Sequence, residues 1–158
     1  MDHLKRKYGQ AAIERYGRPG NPLDLAGQKV GIHFNPARRV IPTRKAHRFM
    51  EYTKTIMPER QDEIMNVLFE KYFEKGEDLS KADALLECAD QVGGLNLEGV
   101  NDAIGDDTTF DAVIATKDAK NRQMRISGVP YFIMGGHKVS GAQPSEIFEE
   151  ILTEMAQK

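Results

Sequence analysis

The sequence predicts an α/β fold that is mostly helical and closes on a small β-hairpin followed by one helix. Three observations carry this. Apolar residues recur at helical spacing through most of the first 126 positions. At Ser127–Pro144 the pattern becomes a turn, a short apolar strand, a Gly-Gly hairpin, a second strand and a proline-marked helix start. The chain has 158 residues, 40% of them apolar and 29% charged, which suits one globular domain able to bury its own core.

The elements follow in order. Residues 3–16 read as a short helix with Leu4, Tyr8, Ala12 and Ile13 on one side. Gly17-Arg18-Pro19-Gly20-Asn21-Pro22 breaks the chain. A helix over Leu23–Val30 ends at Gly31. Asn35-Pro36 and Ile41-Pro42 punctuate a loop, and Thr43 is placed to cap a helix reaching Ile56. Pro58 opens the clearest helix, which runs to Lys75 and stops at Gly76. Its apolar stripe is Ile64, Met65, Val67, Leu68, Phe69, Tyr72 and Phe73. Ser80 with Asp83 reads as a capping box for a helix carrying Leu85, Leu86, Ala89 and Val92. Asn96 caps a short helix with Leu97, Val100 and Ile104. Asp107 or Thr108 starts another, with Phe110, Val113 and Ile114 facing in and an end near Ile126. Tyr131–Met134 is an apolar strand, Gly135-Gly136 a two-residue hairpin turn, and Lys138-Val139 the second strand. Pro144 suits the first turn of a closing helix, which carries Ile147, Phe148, Ile151, Leu152 and Met155 on one side.

Composition excludes several functions. A formal net charge of −2 supplies no global field for nucleic acid or a membrane surface. Lys5, Arg6 and Lys7, like Arg38 and Arg39, read as solvated patches. No apolar run approaches the roughly 18 residues of a membrane span, and the N-terminus lacks a secretory pattern. Cytosol is the expected location. Cys88 is the only cysteine, so no intrachain disulfide forms, and a cysteine-rich zinc site is excluded. On its helix Cys88 shares a face with Leu85 and Val92 and reads as a buried, inert thiol. His33, His47 and His137 have no metal-ligand spacing, and no metal is expected. Asp106-Asp107 and Glu149-Glu150 read as helix-end charges.

Ile126-Ser127-Gly128-Val129-Pro130-Tyr131-Phe132, followed after the hairpin by Val139-Ser140-Gly141-Ala142-Gln143-Pro144, resembles the DsbA-like branch of the thioredoxin superfamily. The FrnE-type subfamily is the nearest match, with kappa-class glutathione transferases and 2-hydroxychromene-2-carboxylate isomerases as relatives. Looser support comes from Pro42-Thr43, Ala46-His47-Arg48 and Leu68-Phe69-Glu70-Lys71-Tyr72-Phe73. The resemblance implies a thioredoxin-like fold with a large inserted helical region at 36–126 and a C-terminal β-β-α unit at 127–158. Together these make one partial domain over 1–158. Relatives begin with a strand–helix–strand unit bearing a Cys-x-x-Cys pair, and Met1 is expected to fall after it. The expectation is a truncated relative, a short isoform or an incomplete gene model.

Sulfur exchange needs an attacking thiolate and a resolving partner. The resemblance therefore implies a thiol-disulfide oxidoreductase family member that is redox-inactive as this chain, with no catalytic residue assigned. It further implies a cis bond between Val129 and Pro130. Substrate-binding residues would be Gly128, Val129, Pro130, Ser140, Gly141, Ala142 and Gln143, receiving an extended peptide or glutathione. No other cofactor is expected. The alternatives are a non-catalytic peptide- or glutathione-binding module, a glutathione-dependent isomerase or transferase relative, and a product without function. The edge of Tyr131–Met134, normally covered by the first core strand, is expected to promote self-association.

Overall fold

The computed structural model describes residues 20–157 together with residues 6, 9–11, 14 and 18. The apolar positions Leu4, Tyr8, Ala12 and Ile13 of the expected first helix lie outside the described residues. Two compact units divide between Ala112 and Val113.

The first unit is helical. Helix α1 spans Pro22–Lys29, where the Asn21 side chain accepts the N–H groups of Leu23 and Asp24. Helix α2 spans Arg44–Ile56. Thr43 stands at its N-cap, as the sequence suggests, but makes no side-chain cap bond. The helix expected over Pro58–Lys75 is three consecutive pieces. They are a 3₁₀ turn at Pro58–Arg60, helix α3 at Gln61–Phe69 and a π turn at Glu70–Glu74. Gly76 ends the run at φ +73°, and a Cβ there would sit 2.9 Å from the Asn35 side chain. Asn35 in turn donates its N–H to the Phe73 carbonyl at 2.7 Å, which ties the preceding loop to the π turn.

Helix α4 spans Ala82–Val92 with Lys81, not Ser80, at its N-cap. The Ser80 hydroxyl donates to Asp78 instead. The Ser80 N–H, which Asp83 would accept in a capping box, also donates to Asp78, so the expected capping box does not form. Helix α5 spans Leu97–Gly105, and Asn96 caps it by accepting the Gly99 N–H. The core joins Phe49 of α2, Ile64 and Leu68 of α3, Leu79 of the turn before α4, Leu85, Cys88 and Ala89 of α4, and Val100 and Ile104 of α5. Arg48 closes the far end of this unit. It donates to both Asp111 carboxylate oxygens, at 2.8 and 3.0 Å, and to the Ile104 carbonyl.

Helix α6 spans Thr109–Gln123, and the unit boundary falls inside it. Its start is set by Asp106, which accepts the N–H groups of Thr108 and Thr109. Thr108, one of the two residues expected to start it, stands directly before it, and its carbonyl accepts the Ala112 N–H. Of the residues expected to face in, Ile114 is buried, Phe110 is half-buried and Val113 is exposed.

In the second unit, strand β1 (Tyr131–Met134) pairs antiparallel with β2 (His137–Ser140), and β2 is longer at both ends than the sequence suggests. Gly135 and Gly136 have φ of +52° and +93°. This is the doubly positive turn whose twist matches a right-handed hairpin. Helix α7 spans Ser145–Ala156, with Pro144 just outside it at the N-cap. Phe148 of α7 meets Phe132 edge-to-face at 4.8 Å. No residue of α7 is fully buried. Ile147, Leu152 and Met155 of its expected inward face are exposed, and Phe148 and Ile151 are half-buried. Among the described residues, no helix is long and apolar enough to cross a membrane.

Candidate functional site

The candidate site lies in the second unit, where two loops meet. The Val129–Pro130 bond is cis. The Gly141 N–H donates to the Pro130 carbonyl at 2.9 Å, so the loop before β1 and the loop after β2 are joined by backbone. Gly128, Val129, Pro130, Ser140, Ala142 and Gln143 are all exposed, and Gly141 is half-buried. Val129 is 88% exposed. The structure thus brings Gly128–Pro130 against Gly141. Gln143 points elsewhere: its Nε2 donates back to the Ser140 carbonyl at 2.9 Å.

The charge around this site is negative. Glu146, Glu149, Glu150 and Glu154 line a shallow open depression on α7 with Thr153 and Gln157. Glu154 also reaches His137 Nε2 at 3.5 Å. Glu146 occupies the first turn of α7. There the helix dipole favours an anion, and a resident carboxylate competes with any incoming one.

The single thiol sits far from this chemistry in the chain, within the first unit. Cys88 is 0% exposed, and its Sγ donates to the Ala84 carbonyl. Burial pushes the thiol up to about 11. The Lys71 ammonium opposes that rise, while Glu77 and Glu87 add to it. Lys71 is itself buried and donates to Glu77 at 3.0 Å and Glu87 at 3.1 Å. Burial lowers its proton affinity, but these two bonds more than offset that, and the ammonium is held above its ordinary range. The result is a compensated buried charge, with no thiolate available at neutral pH.

His137 meets one carboxylate, that of Glu154, and the backbone N–H of His33 donates to Glu74. Among the described residues, no group of three or more His, Cys, Asp and Glu could hold a metal ion. Sequence reasoning missed the bidentate Arg48–Asp111 pair and the bond from Gly141 to Pro130. The first has no local signal, because 63 positions separate its partners. The second was latent in the hairpin register.

A family model described as a DSBA-like thioredoxin domain matches residues 21–153 of the chain. No curated protein matches it.

Proposed function

We propose a function from one premise, that this chain belongs to the DSBA-like thioredoxin domain family, a family of thiol-disulfide oxidoreductases: its surface at Gly128–Pro130 serves to recognise polypeptide. As this chain, it binds extended polypeptide at Gly128-Val129-Pro130 and does not itself exchange disulfides. The observation that carries the reading is the exposed loop Gly128–Pro130 beside an ordered strand, while Cys88, the one cysteine of the sequence, is buried. An added strand gives affinity through main-chain bonds and specificity through alternate side-chain contacts.

Peptide is favoured over glutathione by charge. Glutathione carries two carboxylates, and the helix start after Ser140–Gln143 already holds Glu146, with Glu149 and Glu150 one turn on. A short peptide making a few backbone bonds, at about 1 kcal/mol net each, binds in roughly the millimolar range. The FrnE-type placement rests on the matches at 126–132 and 139–144. It makes an unfolded or extended protein segment the natural substrate class.

Two measurements test this. In an amide chemical-shift titration, an uncharged extended peptide should move Gly128, Val129 and Gly141, while reduced glutathione at the same concentration should not. In an insulin-reduction assay with dithiothreitol, the chain should give no acceleration over the uncatalysed rate. Acceleration that disappears in Cys88→Ala would overturn the inactive reading. Glutathione shifts centred on Ser140–Gln143 would favour the glutathione-dependent relatives instead.

A further inference from the structure

Helix α6 closes on its own last carbonyls. The Ile126 N–H donates to the Asn121 carbonyl at 3.1 Å, and the Arg125 N–H donates to the Arg122 carbonyl at 3.0 Å. This pair of bonds is the Schellman ending, and it puts Arg125 at the left-handed position that such endings usually give to glycine. Arg125 has a φ of +56°. Among the described residues it is the one non-glycine with positive φ, and glycine supplies the other nine. In an L-residue this conformation drives Cβ toward the following carbonyl oxygen. It weights the local equilibrium against the folded turn by roughly fivefold or more.

Nothing found within the chain offsets that strain. Arg125 is exposed, and among the described residues its guanidinium makes no hydrogen bond or ion pair. Its charge is not needed for the helix dipole, because Lys120 and Arg122 already occupy the last turn of α6, where cations are favoured. Strained non-glycine residues gather at binding sites. The site described above begins three residues on, at Gly128. Three residues span at most about 11 Å, a gap that a long side chain and a bound segment close between them.

We propose that Arg125 determines specificity at the Gly128–Pro130 loop, which rests on the polypeptide reading of that loop, and that the extended segment bound there carries an acidic side chain facing the guanidinium. The planar donors of arginine match a carboxylate in two parallel bonds. Placement of the acid matters, because Glu146, Glu149 and Glu150 of α7 repel an acidic side chain set near them. The preference is therefore for an acid at a particular place in the segment and not for negative charge in general.

A set of uncharged extended peptides, each with a single glutamate at a different position, tests this against the 158-residue chain. Binding is followed by the amide shifts of Gly128, Val129 and Gly141. At one position, or at two alternate positions, glutamate should tighten binding by roughly fivefold, the upper range for an exposed ion pair, and salt should reduce the gain. In Arg125→Gly the glutamate peptide and its uncharged parent should bind alike. The Ile126 amide should also exchange roughly fivefold more slowly in that variant, since glycine takes the left-handed conformation without strain. Arg125→Lys should retain part of the gain, and Arg122→Gln should leave it intact. Should the glycine variant loosen the helix end, Arg125→Asn, which also tolerates this conformation, reads the same loss. A glutamate gain at no position would overturn the proposal. So would a gain that survives both Arg125→Gly and Arg125→Asn, or an Ile126 amide that exchanges faster in both, which would make Arg125 a structural residue. An uncharged parent that moves none of the three amides in the wild type sinks the polypeptide reading itself, whereas parent binding without a glutamate gain sinks the role of Arg125 alone.

Discussion

Raising the pH should destabilise the chain through Cys88, and replacing that residue by alanine should remove this part of the loss. In the folded chain burial lifts the thiol from its ordinary 9.0 to about 11. The unfolded chain releases the same proton near 9, so between those values it binds fewer protons than the native state. Stability then falls as pH rises: the contribution is complete below pH 9 and lost towards pH 11. At about 1.4 kcal/mol per decade of proton affinity, the full loss is about 3 kcal/mol, and roughly half of it is reached by pH 10. Lys71 acts in the same direction, because its folded proton affinity is also raised. Its contribution, however, is lost only above its ordinary 10.5, so measurements below pH 10 separate the two. Urea midpoints at pH 7.5, 8.5, 9.5 and 10 for the wild type and Cys88→Ala supply the test. Alanine costs some packing at every pH, and the comparison is therefore between slopes. Parallel slopes would refute the argument. So would labelling of the native thiol by a disulfide reagent at pH 8 as fast as labelling in urea.

Three further outcomes follow from the packing. Leu85→Ala, at a fully buried core position, should cost about 2–5 kcal/mol in denaturant unfolding, and a cost below 1 would mean the core is not packed as described. Gly27→Ala places a Cβ 2.7 Å from the Phe34 ring and 2.9 Å from the Ile32 carbonyl; because one obstacle is backbone, about 1–3 kcal/mol should be lost, read as a lower thermal midpoint. The Asp111 carboxyl is held below its ordinary range mainly by its hydrogen bond from Arg48. Its stabilisation is present above pH 4 and is lost as the pH falls through its lowered value, so Asp111→Asn should flatten the acid side of a thermal-midpoint profile.

What could be read from the sequence was local. Gly135-Gly136, the apolar run before it and the proline after it specify the hairpin within fourteen residues, and Asn96 caps α5 as its type and position suggest. Errors arose where near-equivalent local choices compete. Thr108 stands at the start of α6 as expected, but Asp106, two residues earlier, is the side chain that accepts the first N–H groups. Ser80 had a carboxylate two residues before it as well as one three after. The π turn at Glu70–Glu74 is invisible to a 3.6-residue period, because its apolar residues Tyr72 and Phe73 fit either winding. For α7 the periodicity was real, but an apolar stripe reports what needs cover rather than what supplies it. The site divides likewise: the residues at 128–130 and 140–143 were legible as a motif, while the bond joining them is a consequence of register.

Those differences imply unequal stability along the chain. Among the described residues, every buried apolar side chain except Ile114 and Val139 precedes Ala112. The hairpin offers Val139 alone, and two strands by themselves are marginal in water. One helix adds the Phe132–Phe148 contact, worth about 0.5–1.5 kcal/mol beyond its area, and leaves Ile133 and Leu152 more than half exposed. The bonded hairpin amides of Phe132, Met134 and Val139 should therefore exchange through local opening, well before those of Leu85, Cys88 and Ala89 report global unfolding. Simultaneous exchange of both sets would mean that the hairpin does not open on its own, and would refute this ordering of stabilities.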